Sequence, residues 1–471
     1  MQKKSTPTQP APQSTLQEWL DYIESIHSKP IDMGLERVEE VKTRLKLDTS
    51  NSVVFTVAGT NGKGSTCAML ESILVQAGFK VGLYTSPHIL HFNERARLQG
   101  ESVSDAQLVE AFEQVEAART AGQSGTAEAV SLSYFEFTTL AILWIFCRQN
   151  LEAIVLEVGL GGRLDAVNVF EPDCAICTSV DLDHQAFLGN TREAIGREKA
   201  GIFRSGKPAI VSDPSPPQSV IDHANAIGAD LWLFTRDFNF SGDKQQWAYG
   251  GRNIRRGALA YPALRGANQL LNASAALAAL ESVRDRLPMP AQSIRQGFLL
   301  VDWPGRFQVL PGQPTIILDV GHNPHAAAHL RESLDGMGFF PYTHCIFGML
   351  ADKDAQGVVT QLKDRVDHWH CVPLEGDRGR DSEALEQAVR AAGVEGQAFD
   401  WEGNVRAVQQ GGIPKQIPER SLQKYSSLAQ AYKLVTQAAA ANDRIVVFGS
   451  FVLIAEVLKI REESRKASRM R

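Results

Sequence analysis

Six residues, Val53-Val-Phe-Thr-Val-Ala58, are β-branched, aromatic or small, and the run stops at a glycine. "GTNGKGS" follows, with Gly59, Gly62 and Gly64 set around Lys63. Helical spacing then takes over through Ala68, Met69, Ile73 and Leu74, and Gly78 is a stop signal. Glycine costs backbone entropy, so three of them in the six residues 59–64 need a reason. A buried strand, a glycine-rich turn and a helix N-terminus together make an anion site, because converging N–H groups and the helix dipole both favour negative charge. Lys63 could then reach the β- and γ-phosphates of a nucleotide. The same order would also serve an ordinary βα turn with an exposed lysine. The strict phosphate-loop pattern is not met: Val57 stands where its first glycine belongs and Gly64 where its hydroxyl residue belongs. A hydroxyl for Mg²⁺ would therefore come from elsewhere.

The strand-then-helix rhythm repeats. Strand-like runs at 53–58, 80–85, 152–158, 173–180, 207–212 and 230–234 alternate with helical patterns near 64–77, 104–120, 135–149, 191–203 and 215–227. That alternation predicts an α/β protein with a mainly parallel, doubly wound sheet. Residues 238–262 read as a small antiparallel excursion and 266–286 as an Ala- and Leu-rich helix. After Pro304-Gly305 and Pro311-Gly312 a second alternation begins with "TIILDVG", "HCIFGML" and "HWHCVPL" and closes with "RIVVFGSFVLIAEVLKI". The expected boundary lies near residue 308. It separates a larger phosphate-loop ATPase domain, 1–308, from a smaller Rossmann-like domain, 309–471. Residues 403–425 read as a polar surface loop, and the last residues, "REESRKASRMR", as a frayed basic tail.

At 471 residues, two or three domains are expected. A net charge of −6 gives no hint of a nucleic-acid surface. The N-terminal "MQKKSTPTQPAPQS" lacks an apolar stretch and reads as a loose tail. There is no run of about 18 or more apolar residues, so neither a membrane span nor a membrane partner is expected. These features favour the cytoplasm. Cys67, Cys147, Cys174, Cys177, Cys345 and Cys371 are scattered, as reduced buried thiols would be. Cys174 and Cys177 form a CxxC, but within a strand-like run and without a partner motif, so a metal or redox role is not expected.

Polar residues recur at or near strand ends, where open α/β sheets bind ligands. "LYTSPH" carries Ser86 and His88; "AIVLEVGLGGRLDA" carries Glu157, Arg163 and Asp165; "TSVDLDH" carries Asp183 and His184; "IGREKAGI" carries Lys199 on a helix. Each alone could be a helix cap or a structural histidine. Together, downstream of a phosphate loop, they suggest a mixed oxygen and nitrogen set that phosphates and water could complete around Mg²⁺. In the second half, Asp319 of "DVGHNPHA" could accept hydrogen bonds from a ribose, with His322 and Asn323 in the same turn. Arg306 of "WPGRF" stands near the expected hinge, where it could clamp phosphates or form an interdomain ion pair.

These motifs carry a resemblance. "IHSKPIDMGLERV", "GTNGKGS", "YTSPHI", "YFEFTT", "LEVGLGGRLDA", "DHQAFLGNTREAIGREKAGIF", "NQLLNASAALAAL", "PGRFQ", "DVGHNPHA" and "GMLADKD" stand in the order of the folylpolyglutamate synthase/dihydrofolate synthase family of the Mur ligase superfamily. The chain resembles that family across 15–460. The resemblance implies ATP phosphates on Gly59, Thr60, Asn61, Gly62, Lys63, Gly64 and Ser65. It implies Mg²⁺, two ions, with Ser86, Glu157 and His184 as ligands, and a carbamoylated Lys199 supporting a metal. Asn268, Arg306 and Asp319 would contact ATP. Ser25, Ile26, His27 and Ser28, then Ser133, Tyr134 and Phe135, then Leu164, Asp165 and Ala166 would meet the pterin. His322 and Ser450 would handle the incoming glutamate. Lys63, Lys199, His322 and Arg306 are the residues expected to carry catalysis.

The implied reaction belongs to folate biosynthesis and one-carbon metabolism. It joins L-glutamate to dihydropteroate and to reduced folates through an acyl phosphate, at the expense of ATP. The N-terminal "IHSKPIDMGLERV" resembles bifunctional members, so both activities are expected; polyglutamylation alone is the alternative. A cell-wall Mur ligase would normally carry a UDP-binding domain before the loop, and here the loop's strand already begins at Val53. A nucleotide-hydrolysing switch would need neither the second domain nor the pterin segments. A monomer is what the resemblance implies.

Overall fold

The structure is a computed structural model that describes residues 9–11, 14–29, 31–121, 129–243, 245–376, 378–410 and 415–469. The chain forms two compact units. One runs to Ala263 and takes in Leu270–Val301; the other comprises Leu264–Gln269 and the chain from Asp302 onward.

The first unit is built on strands β1 (Val53–Ala58), β2 (Val81–Tyr84), β3 (Ala96–Leu98), β4 (Glu101–Ser102), β5 (Ala153–Glu157), β6 (Cys174–Cys177), β7 (Pro208–Val211) and β8 (Asp230–Leu233). They form one sheet in the order β4-β3-β2-β5-β1-β6-β7-β8. All pairs are parallel except β2–β3 and β3–β4. β1 is buried along its whole length, which is why its sequence is a nearly continuous apolar run, interrupted by Thr56, rather than an alternating one. Val57 pairs with Glu157 on one side and Ile176 on the other, and Tyr84 pairs with Leu156. The register therefore brings the C-terminal ends of β2, β5, β1 and β6 into line.

Helices cover this sheet. Lys63–Gln76 follows β1 with only four residues between, and Gly78 beyond it takes φ 87°. Asp105–Thr120 and Tyr134–Cys147 each start at a capping box, Ser104 with Gln107 and Ser133 with Glu136. Tyr134–Cys147 is apolar nearly all round because its residues 136–146 are buried. The excursion is a three-stranded antiparallel sheet of β9 (Asn239–Gly242), β10 (Trp247–Gly250) and β11 (Arg255–Leu259).

The second unit has β12 (Gln308–Leu310), β13 (Thr315–Asp319), β14 (Thr343–Phe347), β15 (His368–Cys371), β16 (Ser421–Lys424) and β17 (Arg444–Phe448), in the order β12-β13-β17-β14-β15-β16. Only β12 is antiparallel. Apolar cores lie on both faces, one around Ile317, Phe347 and Trp369 and one around Leu318, Ile346 and Leu453.

Two expectations are corrected. Residues 403–425 are not a continuous surface loop. Helix Trp401–Gln409 and edge strand β16 occupy much of the segment, while 411–414 lie outside the described residues. Asp400 caps the helix, accepting from Gly403 N, and Trp401 is buried against His344, His368 and His370. Few apolar residues sufficed because the segment adds to an existing sheet edge instead of building a core of its own. The basic C-terminal stretch is helical through Arg469, continuing Phe451–Arg469 with exposed side chains at 462–467. Of the N-terminal tail, residues 1–8, 12 and 13 lie outside the described residues. Cys174 and Cys177 are free and buried in β6, and burial pushes each thiol up to about 12.

Candidate active site

The loop after β1 is fastened to the end of β6. Thr60 N donates to Ser179 O at 2.7 Å, and Asn61 N donates to Ser179 Oγ at 3.0 Å. Thr178 Oγ1 donates to Asn61 O at 2.6 Å, and Thr60 Oγ1 donates to Asp181 O at 3.0 Å. This fastening explains two glycines. A Cβ on Gly59 would stand 1.8 Å from Thr178 Oγ1, and one on Gly62, whose φ is 87°, would stand 2.5 Å from Asn272 Oδ1. The first bond of the following helix is from Thr66 N to Gly62 O, so the N–H groups before it point out of the helix end. Lys63 folds back over this end, its Nζ donating to Gly59 O at 2.9 Å and Thr60 O at 3.3 Å. The result is a preformed cationic cradle around Gly59, Thr60, Asn61, Gly62, Gly64 and Ser65.

Beside the cradle, Ser86 and Glu157 meet at the ends of adjacent β2 and β5: Ser86 N donates to Glu157 Oε2 at 3.1 Å. Glu157 is buried at the edge of the loop region, paired in register with Val57. His184 takes φ 50°, donates its N–H to Asp183 Oδ1 at 2.8 Å, and holds its ring Nε2 3.9 Å from the same carboxylate. A hydroxyl, a carboxylate and an imidazole are a donor set that suits an ion taking oxygen and nitrogen ligands. Among the described residues there is no group of three or more His, Cys, Asp or Glu that could hold a metal ion.

Lys199 lies on helix Arg192–Ala200 and is 4% exposed. Burial and then the positive charge of Lys63 pull its amine down to about 7, against the attraction of Cys177, Asp183 and Asp165. Much of it is therefore neutral, and nucleophilic, near neutral pH. Asp165 is also buried; burial pushes its carboxyl up to about 6, opposed by hydrogen bonds from the loop backbone and by Lys63. Its oxygens accept from Leu160 N at 2.8 Å and Val167 N at 3.0 Å, so it also pins the second glycine loop.

The remaining pterin candidates differ in what their polar groups already do. Ser133 caps its helix, and Glu136 of that capping box pairs with Arg37 at 2.8 Å. Ser25 Oγ donates to Tyr22 O at 2.7 Å. His27 sits between Ser131 Oγ at 2.8 Å and Asp32 Oδ2 at 3.2 Å. Ile26 and Ser28 flank it. Phe135 stacks on Tyr84 at 6.0 Å, and Gly159 admits it closely, since a Cβ there would stand 2.6 Å from its ring. Tyr134 lies 5.7 Å from the Arg95 guanidinium, which donates to His88 Nδ1 at 2.9 Å. Leu164 is partly buried and Ala166 buried.

In the second unit, Asp319 ends β13 and accepts from Phe307 N at 2.9 Å and Gly321 N at 2.7 Å. Burial raises its carboxyl, opposed by those bonds, by Arg306 and by His322. The Arg306 guanidinium lies 5.1 Å from the Phe451 ring centre, and His322 lies 6.2 Å from the same ring. Ser450, just before Phe451, accepts from Val452 N at 3.1 Å. Arg306, Asp319, His322 and Ser450 thus surround one end of the second sheet. Asn268 is partly buried and belongs to the short Leu264–Gln269 segment of this unit.

Reading the strand ends for charge overlooked Thr178, Ser179 and Asn272, which shape the cradle. The available signal was a pair of hydroxyl residues at the end of a strand in "CTSVDLDH".

Residues 57–280 match the Mur ligase middle domain, and residues 305–451 the Mur ligase glutamate ligase domain. The dihydrofolate synthase/folylpolyglutamate synthase of Escherichia coli (strain K12) is 40% identical over 98% of this chain and 99% of its own. The chain belongs to the dihydrofolate synthase/folylpolyglutamate synthase family of Mur ligases. Its fold is that of E. coli FolC solved in complex with DHPP and ADP, at a TM-score of 0.86 and 40% identity, covering 97% of this chain and 100% of that one. The bifunctional enzyme of Yersinia pestis, complexed with AMPPNP and Mn ion, matches at 0.84 and 40% identity, over 97% and 100% of the two chains. No described helix is long and apolar enough to cross a membrane.

Proposed function

We propose that this protein is an ATP-dependent ligase that adds L-glutamate to dihydropteroate, giving dihydrofolate, and to folylglutamates, lengthening their glutamate chain. The end-to-end 40% identity with a bifunctional enzyme carries this reading. The 1–308 part is assigned ATP and the pterin, and the 309–471 part the incoming glutamate.

A carboxylate resists amines because oxide is a poor leaving group. Transfer of the γ-phosphoryl of ATP to that carboxylate gives an acyl phosphate. The glutamate amine attacks its carbonyl carbon, a tetrahedral intermediate forms, the C–O bond to phosphate breaks, and the nitrogen loses its proton. Phosphoryl transfer needs charge neutralisation and positioning above all. Lys63 supplies a cation at the cradle, and Arg306, near the boundary of the two parts, is assigned the same task. Ser86, Glu157 and His184 would hold a divalent ion, Mg²⁺ or Mn²⁺, which offsets phosphate charge when bound. The neutral fraction of Lys199 can take up CO₂, releasing a proton and becoming a carbamate; that anion would support a second ion. Asn268 and Asp319 are assigned to the nucleotide, His322 and Ser450 to glutamate. Phe135 is assigned a ring contact with the flat pterin, and Asp165 and the 25–28 segment are assigned its polar contacts. Six free cysteines suit a reducing cytoplasm, and the proposed state is a monomer.

The test is incubation with ATP, Mg²⁺ and glutamate, with dihydropteroate, with a folylmonoglutamate, or with neither. Amide formation with both acceptors is expected. Product from the folate alone would leave only polyglutamylation. ATP turnover without acceptor, and no amide, would mark a nucleotide switch.

A further inference from the structure

Helix Pro324–Asp335 carries His325 and His329 one turn apart, and their Nε2 atoms stand 3.1 Å from each other. Their rings are nearly perpendicular, at 82°, with centres 4.4 Å apart. Metal–imidazole bonds are about 2.0–2.1 Å long, so two of them closing on atoms 3.1 Å apart meet at about 100°. That angle lies between octahedral and tetrahedral, so the separation of the two nitrogens suits one shared ion. A carboxylate completes the pattern: Glu332 Oε2 lies 3.3 Å from His329 Nδ1. Metal-ligating histidines commonly donate their other ring N–H to such a group, which fixes the tautomer and raises ligand basicity. Here it places the His329 proton on Nδ1 and the lone pair on Nε2, facing His325. Both rings are only partly buried.

We propose that His325 and His329 form a chelate for a borderline transition-metal ion such as Zn²⁺, Ni²⁺ or Cu²⁺, separate from the oxygen-rich Mg²⁺ set of Ser86, Glu157 and His184. In the metal-free pair one Nε2 donates to the other. Binding needs the lone pair of each Nε2, so the proton shared between the two nitrogens must be released from them. Imidazole selects these ions over Mg²⁺, which prefers oxygen. The site is two-coordinate from the protein, so its occupancy follows the free metal concentration and is not permanent.

The test uses the untagged full chain without nucleotide, in millimolar Mg²⁺ to occupy oxygen-rich sites. Ni²⁺ is titrated by calorimetry. One binding event is expected in the wild type, weakened at least tenfold in His329→Gln and in His325→Gln, and unchanged in Glu157→Gln and in His223→Gln, whose histidine lies on helix Gln218–Ile227 of the first unit. Thermal melts without metal confirm that each variant is folded. Equal Ni²⁺ affinity in wild type and His329→Gln would overturn the proposal, as would loss of the event in Glu157→Gln.

Discussion

The backbone N–H of Ser86 donates to the Glu157 carboxylate across 3.1 Å, tying the ends of two neighbouring parallel strands beside the glycine-rich loop after β1. Glu157→Gln keeps an acceptor for that bond and removes one charge. Ligation should fall about ten- to a hundredfold, the scale of losing an interaction with a charged group, and should recover partly at high Mg²⁺. Steady-state rates across a Mg²⁺ series read this out. A lowered melting temperature with an unchanged Mg²⁺ dependence would instead make Glu157 a structural cap.

Lys63 is bonded to its own loop through Gly59 O and Thr60 O. Lys63→Ala should cut ligation roughly 10²–10³-fold, as loss of a preorganised charge-stabilising donor does, while the fold persists. Circular dichroism checks the fold and a coupled assay the rate. A folded variant with wild-type amide formation would remove the loop from the chemistry.

Lys199 gives a pH prediction. Its amine is charged below about 7 and neutral above, because burial and Lys63 disfavour the cation. Carbamoylation needs the neutral form, so bicarbonate-dependent activity should rise as pH increases through that value. Lys199→Arg, which stays charged, should lose it. For the unmodified amine, a folded pKa of about 7 against an unfolded 10.5 means that the unfolded chain binds more protons between those values. Its contribution to stability therefore increases as pH climbs through that window. Rates with and without added bicarbonate, and melting temperatures of wild type and Lys199→Met from pH 7 upward, test both halves.

Asp165→Ala should raise the KM for dihydropteroate about ten- to a hundredfold, with a small effect on the KM for ATP. It should also lower stability, because Leu160 N and Val167 N lose their acceptor. Kinetics with each substrate varied in turn separate the two. An unchanged dihydropteroate KM beside a raised ATP KM would assign this loop to the nucleotide.

Much of the fold was readable because its signals are local. β1 is a nearly continuous apolar run since both of its faces are covered, and the glycines after it mark backbone that no side chain can share. Both alternations of strand and helix gave the right class for the same reason. Residues 403–425 misled because β16 completes a sheet edge whose partner strand, β15, lies some fifty residues away in the chain.

The sequence alone determined that a strand, a glycine turn and Lys63 stand at a helix N-terminus, since each depends on residues within one turn of another. Only the tertiary structure decided which strand ends neighbour that turn. The order β2-β5-β1-β6 sets Ser86 beside Glu157 and lays Thr178 and Ser179 against the loop, through hydrogen bonds spanning more than a hundred residues of chain in the latter case. It also decided the charge state of Lys199. A lysine is ordinarily a cation; burial removes the water that solvates the charge, and Lys63 repels what remains.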